Sequence, residues 1–390
     1  MAIPKINIKY QNGKLGTVEA SKDGLLAICV KGAAVSTTFA QNKAYKIYQP
    51  SGLTALGVTA TSHPLLVEAV RQFYNEAEEG TPVYVVAYSD DSMSDFLDKD
   101  EGSLKGILQS VKGDIRGVVV YHASTEDPDT SEGLEADVFT AMTKAQALAE
   151  WTVNNLYAPV FVALDGYLYN SASDLRDLSS LTNNRVCIVL GSVSSTDGHA
   201  AMGMFAGRVA SSPVQRNIGC VADGPLSVEN LFLGSDKVSD VMDDVTTIYD
   251  KGYITPRTYV GRSGYYYTDD KLATKETDDY AHLTARRTID KAVRIAYDTL
   301  LEKMLGEVEI NDDGTMQEPL LKSWQAEVED DINANMTRNG ELVSVDGSGC
   351  ECFIDATQNV RATSNIDVVI SVRPFGYARS ISASFGFKVQ

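Results

Sequence analysis

Four histidines, His63, His122, His199 and His282, are the side chains best suited to bind a metal or carry a proton, and they are scattered along 390 residues. No HExxH pair or similar spacing sets two of them on one helix face, so the pattern predicts no metal site of that kind. His63 precedes Pro64 and reads as a helix cap, while His199 follows Asp197-Gly198 in a turn. A phosphate cradle requires GxxxxGK[ST], or GxGxxG after a strand, and neither occurs. Gly261-Arg262-Ser263-Gly264 is one residue short of the GxSxG nucleophile elbow and follows no buried strand. The acidic run Asp90, Asp91, Asp95, Asp98, Asp100, Glu101 lacks the order of a calcium loop and reads as solvated charge. Asn335-Met336-Thr337 matches a glycosylation acceptor by composition alone. No nucleophile–base pair emerges, so the expectation is a chain without catalysis, metal or cofactor.

The five cysteines point the same way. Cys29, Cys187 and Cys220 lie in apolar runs, and Cys350 and Cys352, two apart, would share one face of a strand. The odd number and the apolar settings suit reduced core thiols.

Composition narrows the partners. Asp and Glu number 53 against 34 Lys and Arg, a formal charge of −19. Such a surface repels phosphate backbones, which argues against a nucleic-acid partner. No run approaches the roughly 18–20 apolar residues that cross a bilayer, and Met1-Ala2-Ile3-Pro4-Lys5-Ile6-Asn7 is not the apolar stretch of a signal peptide. The expectation is no membrane insertion and a chain that stays where it is made. Nineteen tyrosines against two tryptophans, several in Gly-containing stretches, offer amphipathic area of the kind enriched at protein contacts.

The elements that would position these residues fall into five pieces. Residues 1–22 read as an N-terminal arm with strand character around the Asn12-Gly13 turn, presenting Ile6, Ile8, Leu15 and Val18 with little core of their own. Residues 23–224 alternate apolar runs (25–30, 83–88, 117–121, 160–164, 186–190, 218–222) with helical periods at 63–79, 94–112 and 137–157. That alternation predicts a doubly wound, mostly parallel α/β core sheet. Residues 225–278 read as an irregular, β-rich insertion containing Tyr265-Tyr266-Tyr267. Residues 279–378 read as an α+β C-terminal domain, with helices near 279–305 and 318–337 and strands near 341–346, 350–355 and 366–373. Residues 379–390 form a C-terminal arm strand, with Ile381, Ala383, Phe385 and Phe387 on one face.

Within the first C-terminal helix the local charge opposes the global sign. Arg287, Lys291 and Arg294 recur at i, i+4, i+7 beside Arg286, while Leu283, Ile289, Val293, Ala296 and Leu300 make an apolar stripe. Two readings stand at this point. One is a solvated face with intrahelical pairs Arg286–Asp290 and Arg294–Asp298. The other is a docking stripe for an acidic partner.

From about residue 205 onward the chain resembles the contractile tail sheath proteins of myophages, R-type pyocins and related injection systems, closest in style to prophage-type sheaths of Bacteroidetes. The residues that carry the resemblance are Ala206-Gly207-Arg208-Val209-Ala210 with Ser212-Pro213-Val214-Gln215-Arg216-Asn217-Ile218-Gly219, then Tyr249-Asp250-Lys251-Gly252-Tyr253-Ile254-Thr255-Pro256-Arg257. Asp278-Asp279-Tyr280-Ala281 before the Arg-bearing helix, Asn359-Val360-Arg361-Ala362-Thr363, and Pro374-Phe375-Gly376 before the closing strand complete it. The resemblance implies a structural subunit without an active site. It implies a six-fold helical homopolymer around a tail tube protein, bounded by baseplate and terminator proteins. The particle would be a virion tail or an injection system assembled in the bacterial cytoplasm. It further implies that terminal arms add strands to neighbouring subunits, and that Arg286, Arg287, Lys291 and Arg294 face the tube. The alternative class is an α/β enzyme or small-molecule binder with an appended module, which should gather polar residues at the C-terminal ends of its parallel strands.

Overall fold

The computed structural model describes residues 22–123 and 128–387. Its centre is a six-stranded sheet of β1 (Leu26–Lys31), β2 (Tyr45–Ile47), β3 (Val83–Tyr88), β4 (Gly117–Val120), β5 (Phe161–Asp165) and β6 (Val186–Val189). The spatial order is β2-β3-β1-β4-β5-β6, with β2 antiparallel to β3 and every other pair parallel. Cys29 lies opposite Val86 on one side and Val120 on the other. The parallel strands are buried along nearly their whole length, which is why they read as unbroken Val/Ile runs rather than alternating ones.

Helices α1 (Pro64–Glu76), α2 (Ser103–Ser110), α3 (Asp137–Trp151) and α4 (Met202–Ser211) complete this body. Helices α1 and α4 lie against each other at close range. Gly203 and Gly207 face the carbonyls of Ala69 and Phe73, leaving no room for a Cβ at either position.

Two expectations for this region need correction. Segment 218–222 is not a strand. The Arg208 side chain takes the carbonyls of Ile218 and Gly224, and the Asn217 side chain accepts the Gly219 N–H, so side chains satisfy a backbone that would otherwise seek a ladder. The sixth strand is instead the short, half-exposed β2, whose three residues carry too little periodicity to be read.

The segment read as an irregular, β-rich insertion holds α5 (Met242–Asp250) and several two-residue strand pairs. Its tyrosines are mostly not contact surface, since Tyr253, Tyr265, Tyr266 and Tyr267 are all buried. The C-terminal part holds α6 (Leu283–Leu301), α7 (Glu318–Ile332) extended by a π turn over Asn333–Thr337, and an antiparallel ribbon of β7 (Cys350–Ile354) and β8 (Val368–Val372). Segment 341–346 forms no strand. Ala292, Ala296, Val328, Ile332, Cys350 and Cys352 share a second small core. Val293 is not part of it and is 40% exposed, so the apolar stripe of α6 is rotated from the one the spacing suggested. Among the described residues no helix is long and apolar enough to cross a membrane.

All five cysteines are free thiols. Burial pushes the Cys29 thiol far up, and burial followed by the charge of Asp270 does the same to Cys187. A thiol-specific reagent is therefore expected to label the half-buried Cys220 in the native protein and to reach Cys29 and Cys187 only after unfolding. Peptide mapping of the labelled protein checks this; native-state labelling of Cys29 would contradict the packing of β1.

Candidate assembly interface

Helix α6 lies along the edge of the sheet where the parallel strands begin. Lys291 Nζ is 2.6 Å from Asp23, just before β1, and 2.6 Å from Glu341. Arg294 donates to the carbonyls of Gly113 (2.9 Å) and Ile115 (3.3 Å) ahead of β4, and to that of Pro159 ahead of β5. Arg287 is buried and donates to the carbonyls of Ser212 (2.9 Å) and Pro213 (3.4 Å) after α4. Asp290 sits between two guanidiniums. Arg185, just before β6, grips it at 3.0 and 3.2 Å, and Arg286 donates to it at 2.8 Å. Burial pushes Arg287 down to about 10 and Arg294 to about 9, so both keep their charge at neutral pH and need these acceptors.

The four residues read as tube contacts thus serve another role. Lys291 and Arg294 fasten the C-terminal domain to the strand starts, Arg287 ties it to the carbonyls after α4, and Arg286 pairs with Asp290 of its own helix. Neither sequence reading of the stripe survives whole. The Arg286–Asp290 pair exists but is buried, and Arg294 turns to core carbonyls rather than to Asp298, which is exposed.

The β7–β8 ribbon offers a different surface. Outward backbone groups of β7 are taken inside the chain, since Cys352 N–H donates to Glu329 and Gln325 donates to the Cys352 carbonyl. With Cys352 turned away from its partner strand, Glu351–Ser371 and Phe353–Val369 are the hydrogen-bonded pairs. Val368, Ile370 and Val372 then direct their N–H and C=O groups away from β7, and no described residue bonds them. Among the described residues this is an open strand edge. Phe353 and Val369 are also exposed on the outer face of the ribbon.

The arm candidates divide. Ile6, Ile8, Leu15 and Val18 lie outside the described residues. Residues 373–387 form no strand within the chain, and Ile381, Ala383, Phe385 and Phe387 are exposed, the two phenylalanines at 98% and 102%. The arm is nonetheless rooted. The Tyr377 hydroxyl donates to the Gln215 carbonyl, and Arg379 Nε is 2.8 Å from Asp269, beside a cavity of about 460 Å³. Asp270 is fully buried next to Asp269. Burial works to raise it, but the hydrogen bond and charge of His282, together with the Thr284 N–H, outweigh burial and hold it at about 2. Burial and then the charge of Asp270 raise Asp269, which Arg379 partly offsets.

Comparison with known proteins adds the family. A model of the DUF2586 N-terminal domain matches residues 3–271, and one of the DUF2586 C-terminal domain matches residues 279–390. The chain belongs to the DUF2586 family.

This DUF2586 chain is similar in structure to the helical sheath of the anti-feeding prophage (AFP) in its contracted state, with a TM-score of 0.65 and 16% identity over 99% of both chains. The contracted sheath of the extracellular contractile injection system PVC gives a TM-score of 0.65 and 15% identity over 100% of this chain and 98% of that one. A sheath tail protein from Listeria innocua gives 0.52 and 11% over 90% and 91%. At these identities the likeness is one of fold. Among curated proteins none matches the sequence.

The DUF2586 chain also holds what the sequence did not reveal. At the C-terminal ends of the strands, His122 after β4 meets Glu135 and Asp137, while Asp165 at the end of β5 binds His199 at 2.6 Å. Polar residues thus do gather at the C-terminal ends of the parallel strands. The contacting pairs are 13 to 34 positions apart, and the linear signal was their position just after or between apolar runs.

Proposed function

We propose that this chain is the repeating subunit of a contractile sheath, a six-fold helical homopolymer on a doubly wound α/β scaffold that encloses a tail tube and shortens to drive it through a target envelope. Baseplate and terminator proteins would bound the polymer, in a virion tail or injection particle assembled in the bacterial cytoplasm. One observation carries the reading. Among the described residues the same chain has an unpaired strand edge at Val368–Val372 and an exposed apolar arm carrying Phe385 and Phe387, on a fold shared end to end with two contractile sheaths.

The two features fit each other. An arm strand laid on the open edge of a second copy gains backbone hydrogen bonds without any fixed domain interface. Alternation would place Ile381, Ala383, Phe385 and Phe387 on one face, and burying each large side chain contributes about 1.5–3 kcal/mol before ordering costs. Links made by backbone leave the domains free to rotate during shortening. A small-molecule enzyme would have no use for either feature.

Deleting residues 1–20 tests the N-terminal half of this reading. The truncated chain is expected to keep its melting temperature and to form no tubes or rings by negative-stain microscopy. Ordered tubes from the truncated chain would remove the N-terminal arm from the linkage.

A further inference from the structure

The polar cluster at the strand ends has a composition that linking subunits does not explain. His122 is 2% exposed, with its ring stacked on Tyr167 at 4.7 Å and 7° between planes. Its Nε2 lies 2.7 Å from Glu135 Oε2 and 3.8 Å from Asp137 Oδ2, and all three donor atoms fall within 4.8 Å of one another. The approach to Glu135 is at ion-pair distance, and among the described residues neither ring nitrogen has a hydrogen-bond partner. This deeply buried imidazole thus sets its Nε2 beside two carboxylates without a hydrogen bond among the described residues.

Charge makes the arrangement costly as it stands. Glu135 is buried and Asp137 nearly so, and among the described residues no Lys or Arg pairs with either. A neutral imidazole leaves two buried negative charges, and a protonated one still leaves a deficit of one. Uncompensated buried charge is strongly unfavourable. A divalent cation would balance two carboxylates and a neutral imidazole to zero.

The geometry is close to what such an ion requires. Donors held 2.0–2.2 Å from one ion at tetrahedral or octahedral angles lie about 3.0–3.5 Å apart, between the two spacings found. The oxygens that face the ring are also held in place by backbone N–H groups. Asp137 Oδ2 accepts the Ser94 N–H at 3.0 Å, and Glu135 Oε2 accepts the Asp137 N–H at 2.8 Å. Such outer bonds orient ligands in built sites.

We propose that His122, Glu135 and Asp137 form a structural binding site for a divalent first-row transition ion, with zinc best suited to an imidazole and two carboxylates. The ion ties the end of β4 to the start of α3. It takes no part in strand addition, so this inference stands independently of the sheath reading.

The test uses the full chain, stripped with a chelator, exchanged into metal-free buffer and titrated with Co²⁺ and then Zn²⁺. Elemental analysis and the visible spectrum of bound Co²⁺ give stoichiometry and donor set. One ion per chain is expected, with a melting temperature that rises with metal concentration. Glu135→Gln and His122→Ala should each weaken binding by at least about tenfold, a loss that changes even outside the ligand set produce. His282→Ala, in the separate Asp269–Asp270–His282 cluster, should leave it unchanged. No uptake by the folded wild-type chain overturns the proposal. So does uptake that survives Glu135→Gln, or that His282→Ala removes. If His122→Ala fails to fold, the wild-type stoichiometry and Asp137→Asn, expected to weaken binding similarly, decide it.

Discussion

Asp290→Asn is expected to destabilise the chain by about 3–5 kcal/mol, the cost of leaving buried guanidiniums without their counter-charge. Asp290 is the shared acceptor of Arg185 and Arg286, and all three side chains are 10% exposed or less. Asparagine keeps the shape and one oxygen, so the loss reports the charge rather than a cavity. Urea denaturation followed by far-UV circular dichroism measures it. Val293→Asp, three residues further along the same helix, should change stability by no more than about 0.5 kcal/mol because Val293 is 40% exposed. Reversing Arg287, Lys291 and Arg294 to Glu should detach the C-terminal domain from the strand starts and lower the melting temperature steeply. A stable triple variant would mean that the seam along α6 is not what holds the two parts together.

Phe385→Asp with Phe387→Asp is expected to do the opposite, leaving the subunit intact and abolishing its polymer. Both rings are fully exposed in the single chain, so the change falls in the range of ordinary surface substitutions, about 0.5 kcal/mol or less. In an added strand the same two positions would bury their rings against a neighbour, and a charge at each replaces a gain of about 1.5–3 kcal/mol with a desolvation cost. Repeated at every subunit, that difference decides whether a polymer forms. Analytical ultracentrifugation should show a single small species for the double variant under conditions where the wild type sediments as large assemblies. Unchanged assembly would exclude the C-terminal arm as the link.

Much of the scaffold was legible because its signals are local. The five parallel strands are uninterrupted apolar runs, and α1, α3, α6 and α7 carry clear helical periods, so each was placed to within a few residues. What failed depended on contacts distant in the chain. Segment 218–222 has strand composition, but Arg208 and Asn217 satisfy its backbone from outside. The stripe on α6 shows the limit most clearly. Periodicity places Arg287, Lys291 and Arg294 along one side of a helix, yet it cannot say that the carbonyls of Gly113, Ile115 and Pro159 and the carboxylate of Asp23 lie opposite. A polar side usually faces water; here it faces the unpaired beginnings of parallel strands. The His122 cluster was hidden for the same reason, its members being brought together by the ends of β4 and the start of α3.

The most direct measurement is helical reconstruction by cryo-electron microscopy of the full-length chain, assembled with a tail tube protein from the same source. Tubes with six subunits per ring are expected, in which residues near 381–387 of one copy run as a strand beside Val368–Val372 of another. Particles of small fixed size, or tubes in which the Val368–Val372 edge carries no added strand, would contradict the sheath reading.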